Sequence, residues 1–423
     1  MKESTNLKRS AFLYAFSILF TGIVNFIAIP VLKQKAGADE YAYLNLYMNF
    51  LLVLGYVGAG WLVQSCIRFY PSLSQQKGFK VAFLKMAFGS AAVAALAAVV
   101  LVFFFPHYRW MFVAFPATIF IVNLQMVGIA WLQASLQPKV VAMAEVLRAV
   151  IFLSFIVFIQ PNGTYGVTKM AWLGWFVSYL LSLLFLLMIS KKVNHPLHAN
   201  SQPAPIESRS LASQFLRFGL PLSLWMAALY GIFFADRFLL LQNASASSTG
   251  HYSALFDVLL KGIGFALSPL ITAVYPMMVR LYQQDDMGAL KKLNDKVVKW
   301  QIGLASIAII GYAFSWPWIK TILKIEDVGN TLFYGGFMIL VSASIWQMNI
   351  LMQKRLELQK QTSFLLLLIV ICFTTMLVGD WFLIPKYGFL GAAGTFLATA
   401  IIYMFVIIRK RLGKPFRPDL QKT

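Results

Sequence analysis

The chain has 423 residues, of which 60% are apolar and only 12% charged, with a formal net charge of +21 and a mean hydropathy of +0.73. So few charges cannot cover the surface of a water-soluble protein of this length, so a soluble globular class is excluded and a bilayer is the solvent that accepts the chain. Nucleic acid is excluded as the partner of the positive charge. Lys and Arg sit in short clusters between apolar runs, on every second connection, where the anionic cytoplasmic lipid surface meets them.

Taken in order, the apolar runs predict twelve spanning helices: 11–32, 41–66, 81–105, 111–134, 140–160, 169–190, 212–235, 251–276, 297–318, 331–352, 362–383 and 388–408. Each run is close to the ~20 residues a spanning helix needs and about twice what a membrane strand needs, and none alternates polar with apolar. The first run is too long for a signal-peptide core and no small-residue cleavage site follows it, so it is expected to remain as a span. The two cysteines, Cys66 and Cys372, form no CxxC pair or disulfide framework. The histidines, His107, His195, His198 and His251, fall in loops or at helix ends, so no metal cluster and no cofactor is expected.

Orientation follows from Lys and Arg. With the N-terminus inside, the external side carries eight of the 36 basic residues (Lys33, Lys35, Arg109, Lys169, Arg237, Lys320, Lys324 and Lys386), spans carry Arg148 and Lys261, and the other 26 are cytoplasmic. That bias predicts both ends in the cytoplasm. The polar stretch 191–210 holds Pro196, Pro203 and Pro205 and reads as a linker between an N-terminal lobe, 1–190, and a C-terminal lobe, 211–423 with a basic tail.

The halves echo one another. Arg68-Phe69-Tyr70-Pro71 closes span two and Val274-Tyr275-Pro276 closes span eight; Tyr165-Gly166 and Tyr387-Gly388 each precede an apolar run that ends in paired basic residues, Lys191-Lys192 and Arg409-Lys410. Six spans per half give both halves the same orientation, hence a parallel repeat about an axis along the membrane normal.

Phe218-Gly219-Leu220-Pro221-Leu222, Asp236-Arg237-Phe238-Leu239-Leu240 and Gly250-His251-Tyr252-Ser253-Ala254 resemble helices seven and eight of Wzx-type polysaccharide flippases. Tyr387-Gly388-Phe389-Leu390-Gly391-Ala392-Ala393, and Ile29-Pro30-Val31-Leu32 followed by Asp39-Glu40-Tyr41, are similar to that family's last helix and first connection. These O-antigen and capsule flippases belong to the multidrug/oligosaccharidyl-lipid/polysaccharide exporter superfamily. The resemblance implies an all-α polytopic membrane protein of two pseudo-symmetric six-helix lobes, with a MATE-like exporter fold and alternating access. It implies a lipid-linked oligosaccharide as cargo, surrounding membrane lipids, and a polysaccharide polymerase and export machinery as partners.

Ionisable groups inside spans are costly and mark candidate sites. Arg148 lies roughly 12 Å into span five and Lys261 roughly 15 Å into span eight, at ~1.5 Å per residue. Glu145 precedes Arg148 by three and Asp257 precedes Lys261 by four, so each cation has an acid within reach. Three readings stand: neutralised pairs that make a polar helix insertable, cations that attract a diphosphate, and acids (Glu145, Asp257, or Asp236 beside Arg237) that couple transport to an ion. Arg68 and Arg237, near opposite faces, are either snorkelling side chains or uptake and release contacts for the cargo.

Asn25, Asn45, Asn49, Asn123, Gln125, Gln347 and Asn349 suit either sugar hydroxyls or interhelical bonding. Gly55, Gly58 and Gly60 suit close helix packing, and Pro30, Pro116, Pro221 and Pro269 suit bends. The sequons at Asn162 and Asn243 are read as coincidence. No Walker-type phosphate loop occurs, so ATP is not the expected energy source. The expected function is flipping a polyprenyl-diphosphate-linked oligosaccharide, the repeat unit of an O-antigen (lipopolysaccharide), capsule or exopolysaccharide, to the outer leaflet of the inner membrane. A multidrug or cation exporter is the alternative. A membrane enzyme is disfavoured, because every external loop is short and no buried histidine is expected to serve as a base.

Overall fold

A computed structural model describes residues 2–73, 76, 78–104, 107–158, 166–190, 208–325, 330–359 and 361–412. Most of the 191–210 linker, the 159–165 connection with its sequon, and His195 and His198 lie outside the described residues.

Every regular element among the described residues is a helix: α1 Lys2–Ala36, α2 Ala38–Gly55, a π turn Tyr56–Gly60, α3 Trp61–Leu73, α4 Phe79–Phe104, α5 Met111–Ala134, α6 Pro138–Phe158 and α7 Gly166–Ser190. There follow α8 Ser208–Ile232, α9 Ala235–Asn243, α10 Ala246–Gln283, α11 Met287–Ile322, α12 Thr331–Leu358, α13 Thr362–Tyr387 and α14 Phe389–Leu412. Twelve stretches are long and apolar enough to cross a membrane, and each overlaps one of the twelve expected spans. The chain is a multi-pass membrane protein.

The distribution of side chains over each helix follows from the lipid solvent. On α4 the inward face is Ala82, Ala87, Ala91, Ala94 and Ala98, small residues that let α5 approach closely, while Val93, Leu96 and Phe103 stand outward at 67%, 67% and 71% exposure. Outward apolar faces of that extent suit hydrocarbon and not water.

Two compact units result. The first comprises Met1–Ala36 with Tyr43–Tyr230; the second comprises Gly37–Ala42 with Gly231–Thr423. In the first, α6 packs on α1 and α7, and α5 on α4, α7 and α3. α8 joins this unit through backbone-level contacts with the second span: Ser65 donates to Phe215 O at 2.8 Å, Ser223 donates to Tyr56 O, and Gly219 faces the Trp61 carbonyl where a Cβ would collide. The π turn shifts its carbonyls out of register, and the hydroxyls of Ser90 and Ser223 take up those of Gly58 and Tyr56. In the second unit α12 packs on α14 and α10, α14 on α13, and α9 against α13. Gly388, at φ +54, makes the reversal between α13 and α14, a conformation that favours glycine after Tyr387.

Candidate functional site

In the first unit, Glu145 and Arg148 lie one turn apart on α6. Arg148 Nη2 donates to Glu145 Oε2 at 2.7 Å and Nε donates to the same oxygen at 3.3 Å. Gln125 of α5 donates to Glu145 Oε1 at 3.1 Å and also reaches Ser182 Oγ of α7 at 3.3 Å. The Ser182 hydroxyl donates to Ala144 O, and the Arg148 guanidinium lies 4.8 Å from the centre of the Tyr179 ring. Both carboxylate oxygens are engaged, and the guanidinium side chain is 10% exposed. Of the open readings for Arg148, this geometry supports the neutralised pair: each charge is matched and hydrogen-bonded across three helices, the condition under which burial is tolerated.

The second unit is arranged otherwise. The seventh span breaks at Phe234 (φ −147°, ψ −4°), so α9 starts anew and carries Asp236 and Arg237 in its first turn. Asp236 suits that position, since a carboxylate near a helix N-terminus is favoured by the backbone dipoles. Arg237 does not snorkel. Its side chain is 1% exposed, its Nη2 donates to Asp257 Oδ1 of α10 at 2.6 Å, and it lies 4.8 Å from the centre of the Phe256 ring. Tyr41 donates to Asp257 Oδ2 at 3.5 Å.

This pairing changes the reading of Lys261. Its spacing from Asp257 predicts an ion pair along α10, yet Asp257 gives its close contact to Arg237, and Lys261 has no ion pair among the described residues. The Arg237 contact is a short charge-assisted bond from Nη2 to Asp257 Oδ1, strong enough to hold that carboxylate. Lys261 therefore stands partly exposed, midway along a membrane span, without a close ion pair among the described residues, Asp257 acting on it only at longer range.

Two fully buried acids complete the unit. Asp236 accepts a hydrogen bond from Tyr252 at 2.5 Å, and its other oxygen, Oδ1, has no hydrogen-bond partner. Asp380 of α13 accepts from Thr395 of α14, and its Oδ2 likewise has no partner. The two carboxyls are close enough for their charges to act on each other and on Tyr252. Two carboxylate oxygens, each left open in a dry setting, call for a proton or a small cation. Among the described residues no group of three or more His, Cys, Asp or Glu gathers as a metal site.

The sequence reading missed Asp380, although an acid inside span eleven is itself a signal. His251, expected in a loop or at a helix end, lies in the second turn of α10, but at 4% exposure it is a buried histidine where none was expected. Arg68, in the second half of α3, is exposed and stacks on Phe218 at 4.1 Å. Most amides serve as interhelical or intrahelical ties, as in Asn349 donating to Ala400 O of α14 and Asn123 to Ile119 O.

No protein-family model matches the sequence, and no curated protein matches it. Solved structures do match its fold. One, described as lipid II flippase MurJ in an inward closed conformation, is 14% identical, with a TM-score of 0.71 over 96% of this chain and 88% of that one. A multidrug resistance MATE family transporter of the MOP superfamily, inward-facing, is 13% identical, with a TM-score of 0.67 over 93% and 96% of the two chains. An outward-facing MATE transporter is 12% identical, with a TM-score of 0.61 over 95% of each. The chain has the MATE-type exporter fold. Within this fold the closed polar network belongs to the first unit, while the open carboxylates and Lys261 belong to the second. Fold likeness at this identity is silent on cargo, so function rests on those residues.

Proposed function

We propose that the chain is a MOP-superfamily flippase that moves a polyprenyl-diphosphate-linked oligosaccharide from the cytoplasmic to the outer leaflet of the inner membrane by alternating access, with both termini in the cytoplasm. The observation that carries this reading is Lys261, a cation within a membrane span whose expected counter-ion is held by Arg237. Such a charge recruits an anion, and a diphosphate is the anionic part of this cargo. Arg237, paired with Asp257, ties α9 to α10, and Arg148 is paired with Glu145 within α6. The likeness to a lipid II flippase is consistent with a lipid-linked cargo. The O-antigen, capsule or exopolysaccharide repeat unit, and partnership with a polymerase and export machinery, belong to the same proposal.

Asp236 and Asp380 supply the coupling site for a proton or monovalent cation. In an inside-negative membrane, anion moving out and cation moving in are both downhill, by about 2.3 kcal/mol per charge per 100 mV. No ATP site is required.

Asp380 also favours a second reading. A drug or cation exporter needs a deep acid without a basic neighbour, and Asp380 has no ion pair among the described residues. Expression in a flippase-deficient strain separates the two. Restored surface polysaccharide with unchanged drug accumulation supports flipping. Lowered drug accumulation with no polysaccharide, at normal expression, supports export instead.

A further inference from the structure

A pocket of about 510 Å3 opens in the first unit between the end of α3 and the start of α8, lined by Arg68, Phe69, Ser213, Gln214, Arg217 and Phe218. Its two charged residues are both guanidinium-bearing and exposed, neither has an ion pair among the described residues, and its lining contains no acid. An uncompensated arginine pair beside two neutral donors is a setting for an anion with several oxygens.

The pocket is supported from below. Arg68 lies 4.1 Å from the centre of the Phe218 ring and 5.5 Å from that of Phe69. Phe69 meets Phe218 edge-on at 5.4 Å and stacks on Phe215 at 5.6 Å. Phe215 is fully buried among Cys66, Tyr70 and Phe83. This aromatic chain restrains the Arg68 guanidinium by its face and leaves its N–H edge available, which lowers the ordering cost of binding. Arg217 stands one turn beyond Ser213 on α8, so its fork and the Ser213 and Gln214 donors come from one helix. A volume within the usual range of small-ligand sites holds a diphosphate with room to spare.

We infer that this pocket binds a phosphate group, with Arg68 and Arg217 as its cationic contacts and Ser213 and Gln214 as neutral donors. Two sources present that chemistry: the diphosphate of a lipid-linked molecule and the headgroup of an anionic phospholipid. Only the first rests on the flippase reading.

The test uses the purified full chain in neutral phosphatidylcholine nanodiscs. Binding of inorganic pyrophosphate and of farnesyl diphosphate is titrated calorimetrically, and a second set of discs adds phosphatidylglycerol. Arg68→Gln and Arg217→Gln are each expected to weaken farnesyl diphosphate about tenfold or more, and the Lys substitutions to restore part of it, while Lys85→Gln, a charge change elsewhere, leaves it alone. If phosphatidylglycerol abolishes the arginine-dependent binding, the headgroup is the source; if diphosphate still binds in its presence, the diphosphate is. Affinities within twofold of wild type for Arg68→Gln, Arg217→Gln and the double variant, in both disc types, overturn the inference. Because the assay needs no translocation, its failure is distinct from failure of the transport reading.

Discussion

In the first unit Glu145 is engaged at both oxygens, by Gln125 and by Arg148, whereas in the second unit Asp236 and Asp380 each keep one buried oxygen without a hydrogen-bond partner. Both sets of groups lie within spanning helices. The difference is one of satisfaction rather than depth. A closed network across α5, α6 and α7 ties helices together and leaves neither carboxylate oxygen of Glu145 open. An open one is tolerated only where something binds or leaves, so ion coupling is read from the carboxyls of the second unit and packing from the α5–α7 network of the first.

Substitutions sharpen that contrast, and the largest effect is expected in the closed network. Glu145→Gln leaves the Arg148 charge buried and unmatched, and should cost about 3–5 kcal/mol of stability, with Arg148→Gln in the same chain recovering most of it. Denaturant unfolding of the single and double variants measures the coupling. If the single variant is as stable as wild type, the network is not closed in the sense argued.

A middle-sized effect belongs to Tyr252. Its hydroxyl is the hydrogen-bond donor recorded for Asp236, so Tyr252→Phe should destabilise by about 1–3 kcal/mol while leaving the Asp236 carboxyl in place. Thermal unfolding in detergent at neutral pH reads it. The smallest effect on stability, and of opposite sign, is expected for Asp380→Asn. Removing an unmatched buried charge should leave stability unchanged or raise it by about 1 kcal/mol, while dependence of transport on the coupling ion disappears. A variant that is destabilised and still ion-dependent would place Asp380 with the packing groups.

Much of this was legible in the sequence. The twelve spans were, because a bilayer forces each to be a continuous apolar run, and the Glu145–Arg148 pair was, because helix geometry brings residues three apart together. The Arg237–Asp257 pair was not. Its members lie on different helices joined by the break at Phe234, and a pattern along one helix pointed instead to Lys261 as the partner of Asp257. Asp380 was readable as an acid in a span, but its tie to Thr395 crosses the α13–α14 reversal and no spacing rule gives it. Membership of α8 was hidden too, since it depends on Gly219 and Ser223 meeting the second span rather than on any boundary in composition.

The central claim is that Lys261, which lacks a close ion pair among the described residues, serves the cargo. Purified protein in vesicles, with a fluorescent lipid-linked oligosaccharide and an imposed inside-negative potential, tests it most directly. Lys261→Gln should fold normally and lose tenfold or more of the translocation rate, about 1.4 kcal/mol or more, with Lys261→Arg retaining part. Translocation by Lys261→Gln at the wild-type rate would contradict the account.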